Sequence, residues 1–229
     1  MIMDEERNVA ERTGAAAEAG AATGTAARRY RGAALAERKA VRRAQLIEAG
    51  LEVFGTVGYA QATVKMICAE AGLTERYFYE SFANREAFFA AVYDRVAEII
   101  GGLMNEAIEA APQEPDAKAK ALIDAYFGKI EQDPKFARIL LLEVIGVSHE
   151  LESIYRAAMQ LFTDLVRERL PELLQAAVAR KADPDVVAAG LVGAIVHVAM
   201  RWVISDYEKP REDVTQGLME IFRAVAQEG

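Results

Sequence analysis

The apolar residues between positions 46 and 103 recur with a helical period that is broken at short intervals, and this pattern constrains the fold more than any other feature of the chain. Ile47, Gly50, Leu51 and Phe54 fall at i, i+3, i+4 and i+7, one apolar face of a helix that stops near Val57-Gly58. Ala62-Thr63 then offers an N-cap, and Val64, Ile67, Cys68 and Ala71 repeat the spacing until Gly72 closes the helix at C′. Thr74 caps a third short helix, and Asn84 caps a fourth whose stripe is Phe89, Val92, Val96, Ile99 and Leu103.

Beyond this block the punctuation changes to proline. All six prolines lie after residue 111. Asp133-Pro134 and Asp183-Pro184 pair an N-cap with proline at N1, the combination that starts helices, while Pro171 kinks or restarts a long one. No period-2 run bounded by turn signals survives inspection, and no repeat of fixed length is present. The sequence predicts an all-α protein of about nine helices, four short N-terminal ones and about five longer ones after Lys118. Its organisation reads as a leader over 1–35, disordered for want of large apolar groups, a small helical domain over 36–98, and a larger helical domain over 99–229.

Charge is unevenly distributed along that organisation. The chain carries a net −8, yet residues 28–95 hold 11 basic and 8 acidic side chains, a net +3, whereas 96–229 hold 14 and 22. Such asymmetry suggests a polyanionic partner for one part of the chain. "ARRYRG", Ala27 to Gly32, reads as a basic arm that adds salt-dependent affinity for a phosphate backbone or minor groove. The single Cys68 forms no internal disulfide, and the N-terminus lacks a signal-peptide h-region, so a reducing, cytoplasmic setting is expected. The longest apolar run, Val186 to Met200, is interrupted by His197 and falls short of the roughly 20 residues a membrane span needs, so no membrane partner is expected.

The linker "AGLT" between the second and third helices has the length and glycine of a helix-turn-helix, whose second helix enters the major groove. This explains the crowded "RYFYESF". Phe78 and Phe82 share a face that packs inward, Arg76, Tyr77 and Glu80 point away, and Tyr79 lies at the edge.

Over Arg42 to Val96, "LIEAGLEVFGTVGYAQATV", "AGLT", "FY", "F" and "REAFF" resemble the DNA-binding domain of TetR-type transcriptional regulators at matching offsets, with the helix-turn-helix at about 62–82. The resemblance implies that Thr63 contacts a phosphate, that Thr74, Arg76 and Tyr77 face the groove or the bases, and that Tyr79 touches the DNA backbone. It places Arg85 where lysine usually meets a phosphate. Arg76 stands where glycine is common and Ser81 where histidine is usual, which alters base preference and removes one backbone contact. Thr63 and Thr74 also serve as plain N-caps in any helix pair, and Glu75 and Glu80 are expected to point away from phosphates or to read cytosine amino groups. Over 99–229 the likeness is architectural, implying a ligand-binding domain that forms a homodimer through the last two helices and sets two reading heads on a near-palindromic operator.

Within that larger domain, "DPDVVAAGLVGAIVHVAMRWVISDY" is apolar nearly all round, with Gly190, Gly193 and Ala194 permitting close approach of a second helix. The polar exceptions Glu143, His197 and Arg201 are candidates for orienting a small molecule, beside Met104, Tyr126, Phe127, Phe162 and Trp202 as apolar lining. Each is also read as ordinary core or as an internal ion pair. No metal-ligand spacing, phosphate loop, cofactor motif or nucleophile motif is present. The expectation is a non-enzymatic, ligand-responsive DNA-binding regulator, a repressor that releases its operator when a small, largely apolar effector binds. The alternative is a helical ligand-binding or enzymatic bundle that keeps the helix-turn-helix as scaffold.

Overall fold

A computed structural model describes residues 35–143 and 149–226, and every regular element among them is helical. Helix α1 covers residues 35–57. It is followed by α2 (Val64–Glu70), α3 (Glu75–Ser81), α4 (Arg85–Ala110), α5 (Pro115–Gln132), α6 (Pro134–Ala137), a π-helical stretch Arg138–Leu142, α7 (His149–Arg169), α8 (Pro171–Ala179), α9 (Pro184–Ile204) and α10 (Arg211–Ala226). The leader and basic arm over 1–34 lie outside the described residues. Compact packing divides the chain between Gln45 and Leu46. In the first unit, residues 35–45 are helical and, Arg42 apart, exposed. The second unit, 46–229, holds everything discussed below.

The helix ends follow from local chemistry. Thr63 Oγ1 accepts from the Met66 N–H at 3.2 Å, and Asn84 Oδ1 from the Ala87 N–H at 2.7 Å. Gly72, at φ +64°, lets the Leu73 N–H reach back to the Cys68 carbonyl at 2.9 Å, a Schellman closure that needs the left-handed conformation glycine adopts without strain. Prolines 115, 134, 171 and 184 each occupy the first turn of a helix, where no donor is lost.

The fourth helix departs from expectation. It is 26 residues long rather than short, and the stripe predicted from Phe89 to Leu103 turns away from the core at its far end. Ile100 and Met104 are buried instead, while Ile99 is half-buried and Leu103 is 37% exposed. The predicted stripe repeats every 3.5 residues, whereas a straight helix advances at 3.6, so over several turns the buried line slips to the next position. Helix α4 thereby carries the N-terminal helices directly into the larger bundle, where it packs on α5 and α7, with α9 on α7 and α10 on α5 and α8.

Six aromatics bind the short helices together. Phe54, Tyr59, Phe78, Phe82, Phe88 and Phe89 form a chain of ring contacts with centroids 4.8–5.8 Å apart. Burying each such ring contributes about 1.5–3 kcal/mol, and each ring pair about 0.5–1.5 kcal/mol beyond that. Through Phe89, Val92 and Val96 this cluster is continuous with the core of the helical bundle, ending at Phe222.

Helix α9, at 21 residues, is longer than the uninterrupted apolar run within it and is long and apolar enough to cross a membrane by length and composition. It buries Leu191, Val192, Ile195, Ala199 and Trp202 against its neighbours and leaves Val186, Gly190, Gly193 and Ile204 exposed.

Candidate nucleic-acid interface and effector domain

Helix α3 is held by one face and displays the other. Phe78 is fully buried and Phe82 nearly so, and this anchors the seven-residue helix so that Arg76 and Glu80 stand in solvent. Arg76 is 83% exposed, and its Nε donates to Glu80 Oε1 at 2.8 Å, one turn along the same face. That carboxylate is the largest cause of the raised Arg76 pKa, so the guanidinium stays charged throughout the physiological range. Tyr77 is half-buried on this side. The Tyr79 ring is 61% exposed and stands edge-on to Phe78 at 5.3 Å.

The two threonines differ. Thr63 spends its hydroxyl oxygen as the cap of α2, whereas Thr74 occupies the N-cap position of α3 with no side-chain cap bond. Both are exposed. Thr74 therefore keeps its full hydrogen-bonding capacity for a partner. Arg85, unlike Arg76, is tied to a neighbouring turn. Its Nη1 donates to the Ala62 carbonyl at 2.9 Å and its guanidinium lies 4.3 Å from the Tyr59 ring centroid, fixing the entry of α4 against the end of the α1–α2 turn. The Tyr59 hydroxyl donates to Glu86 Oε1 at 3.1 Å. Burial raises the Tyr59 pKa, and the Arg85 guanidinium pulls in the opposite direction. Ser81 is half-buried.

The eight residues proposed from sequence for a ligand fall into separate places. Met104, Tyr126 and Phe162 meet between α4, α5, α7 and α9, with Val166, Val192, Ile195 and Val196, around an interior space of about 10 Å³. That volume is close to one water, so this space holds no larger molecule as it stands. His197, Arg201 and Trp202 line a distinct surface cleft of about 290 Å³ at the end of α9, with Val198, Ser205, Glu208, Lys209 and Val214. Phe127 bridges the two groups, its ring 5.6 Å from Tyr126 and 5.5 Å from Trp202. Burial pushes the Tyr93 and Tyr126 hydroxyls far above the ordinary tyrosine range.

Glu143 is the eighth, and it joins the two functional regions. Just past the π-helical stretch, its Oε1 accepts from Arg138 Nε at 2.9 Å and its Oε2 from the Tyr59 N–H at 2.8 Å. Arg138 Nη1 in turn donates to the Thr56 carbonyl at 2.9 Å, and Lys135 pairs with Glu52 at 2.7 Å. The turn between α1 and α2 is thus clasped by the segment that follows α6. Arg138 lies five residues before Glu143 in sequence. The π-helical step puts both on one side, because it adds a residue to the local turn. The π conformation has no signature in "RILLL", so this clasp was not readable from the sequence.

Among the described residues no group of three or more His, Cys, Asp or Glu is placed to hold a metal.

A seven-residue helix displayed on an aromatic anchor after a glycine turn is the second helix of a helix-turn-helix, and the class defined is a DNA-binding regulator with a helical effector domain. Residues 46–92 match the family model described as "Bacterial regulatory proteins, tetR family", so the helix-turn-helix domain is of the TetR type. It is 25% identical over 181 residues to the HTH-type transcriptional activator FasR of Mycolicibacterium smegmatis, covering 78% of this chain and 80% of that protein. It is 22% identical to the fatty acid metabolism regulator protein of Bacillus subtilis, covering 77% and 91%. A crystal structure of the transcriptional regulator FadR from Bacillus subtilis in complex with stearoyl-CoA shares the fold, with a TM-score of 0.66 at 20% identity, covering 78% of this chain and 96% of that one.

Proposed function

We propose that the chain is a cytoplasmic, homodimeric repressor that binds a near-palindromic operator through α3 and releases it when a small, largely apolar effector enters the bundle between α4, α5, α7 and α9. The observation that carries the DNA-binding part is the polarity of α3. One face is locked by Phe78 and Phe82, and the other presents Arg76 and Tyr77 beside the uncommitted hydroxyl of Thr74. Thr74, Arg76 and Tyr77 are the base- or groove-facing groups, and Tyr79 and Thr63 are the backbone contacts. Arg85 acts chiefly by fixing the turn, with its remaining N–H groups toward phosphate.

The effector reading rests on the apolar lining by Met104, Tyr126 and Phe162 and on relatives named for fatty acid metabolism and for a stearoyl-CoA complex. An acyl chain is the ligand class this lining would accept, once the helices part. The dimer reading rests on α9 and α10. Val186, Gly190, Gly193 and Ile204 of α9, interrupted by His197 and Arg201, are exposed, as are Gly217 and Ile221 of α10. A twin helix hairpin would cover them.

In-vitro selection from random duplex DNA, with the solution mass measured alongside, tests this. A near-palindromic site bound by a dimer is expected, with binding lost in Arg76→Ala plus Tyr77→Ala and weakened by stearoyl-CoA. A folded protein that enriches no sequence would overturn the reading in favour of the ligand-binding bundle.

A further inference from the structure

Two carboxylates, Glu75 and Glu80, stand on a helix that is to approach a polyanion, and an unpaired acid there opposes binding. The structure gives Glu80 a different partner. Its Oε1 accepts from Arg76 Nε, with both side chains in solvent and on the face opposite Phe78. As a surface ion pair this contact contributes little to folding stability. Its consequence is orientation. With Nε engaged, the two Nη groups of Arg76 form the free edge of the fork, and Glu80 retains Oε2 as an acceptor beside them.

That edge has a defined complement. In the major groove a G·C pair presents two acceptors on guanine, N7 and O6, and then a donor, N4–H, on cytosine, an order that differs from A·T, T·A and C·G. Two Nη donors followed by a carboxylate acceptor match it group for group. The N-terminal residues of a recognition helix are those that reach base edges, and Arg76 is the second residue of α3. We propose that Arg76 and Glu80 act as one unit that reads a single G·C pair, with Arg76 on guanine and Glu80 both holding the fork and accepting from cytosine N4. The inference rests on the DNA-binding reading above. It turns a charge that opposes phosphate into the element that sets base preference.

The test uses the full-length protein and the duplex it enriches, together with three duplexes in which the candidate G·C pair of each half-site is replaced by C·G, A·T or T·A. Wild type is expected to prefer G·C at that pair by on the order of 10- to 100-fold, the discrimination a good bidentate contact gives. Glu80→Ala should lose most of that preference there and keep it at other positions. The same variant should bind non-cognate duplex more tightly, because a negative charge has left the interface. Arg76→Lys, which keeps the charge and loses the fork, should also flatten the preference. Both side chains are exposed, and an unchanged far-UV circular dichroism spectrum confirms folding. A purely structural Glu80 would weaken all sites alike, and that outcome, or unchanged discrimination in Glu80→Ala, overturns the inference while leaving the regulator intact. Absence of any enriched sequence for wild type overturns both.

Discussion

The backbone N–H of Tyr59 donates to Glu143 Oε2 at 2.8 Å across 84 residues of sequence. One end of this bond is the turn that aims the helix-turn-helix, and the other is the segment leaving α6 in the effector domain. Arg138 completes the clasp by holding Glu143 with one nitrogen and the Thr56 carbonyl with another. Glu143→Ala leaves the Tyr59 N–H without its partner and the Arg138 guanidinium with only the Thr56 carbonyl. The expected cost is about 1–2 kcal/mol, toward the low end for charge-assisted bonds because Arg138 is well exposed. Urea denaturation should show a lower midpoint with an unchanged slope. Under the proposed function, stearoyl-CoA should still bind this variant but release DNA less completely, and full release would show that the clasp does not transmit the signal.

Two glycines with left-handed backbones separate conformational cost from crowding. Gly58 has φ +82° and Gly72 φ +64°. A Cβ on Gly72 would meet nothing within 4 Å, whereas one on Gly58 would lie 2.7 Å from Glu143 Oε1 and 3.0 Å from Arg138 Nη2. Gly72→Ala should therefore cost only the left-handed penalty, about 1–2 kcal/mol. Gly58→Ala should cost more, because the clasp must also open. Thermal melts of the two variants side by side give the comparison, and equal losses would mean that the clasp yields freely.

Buried tyrosines contribute to the alkaline limb of stability. Burial raises the Tyr93 and Tyr126 hydroxyls well above 10, so the folded state keeps protons that the unfolded chain releases above pH 10. The sign follows. Each group's contribution is complete below pH 10 and is lost as pH rises, at about 1.36 kcal/mol per pH unit. Tyr126→Phe removes one such group. Between pH 10 and 11.5 its urea midpoint should fall less steeply than that of wild type, and parallel curves would refute the assignment.

Particular residues show what the sequence could and could not disclose. Phe78, Phe82, Gly72 and Asn84 have local signatures, a spacing or a cap, and the structure uses each as its neighbours in sequence imply. The ring pairing of Tyr59 with Arg85, the π-helical step at Arg138 and the clasp of Glu143 depend on segments brought together only by the fold. No short window of sequence contains them. His197 and Arg201 lie one helix turn apart, yet whether they open toward the bundle or outward depends on which side of α9 meets α7 and α10, and an all-round apolar helix does not declare that side.

Thr63 and Thr74 carry the same residue type at the same cap position of consecutive helices, and they separate stability from recognition. Thr63 Oγ1 caps α2, so Thr63→Ala should cost about 1 kcal/mol of stability. Thr74 makes no cap bond through its side chain, so Thr74→Ala should leave the melting temperature within about 1 °C, a change of a few tenths of a kcal/mol. If its hydroxyl meets the operator, Thr74→Ala should weaken binding to the selected duplex several-fold, as expected for one neutral hydrogen bond of about 1 kcal/mol. Thermal melts and fluorescence-anisotropy titrations of both variants resolve the two effects. A Thr74→Ala protein that is both as stable and as tightly bound as wild type would remove this residue from the interface and shift the N-terminal contacts of α3 onto Arg76 alone.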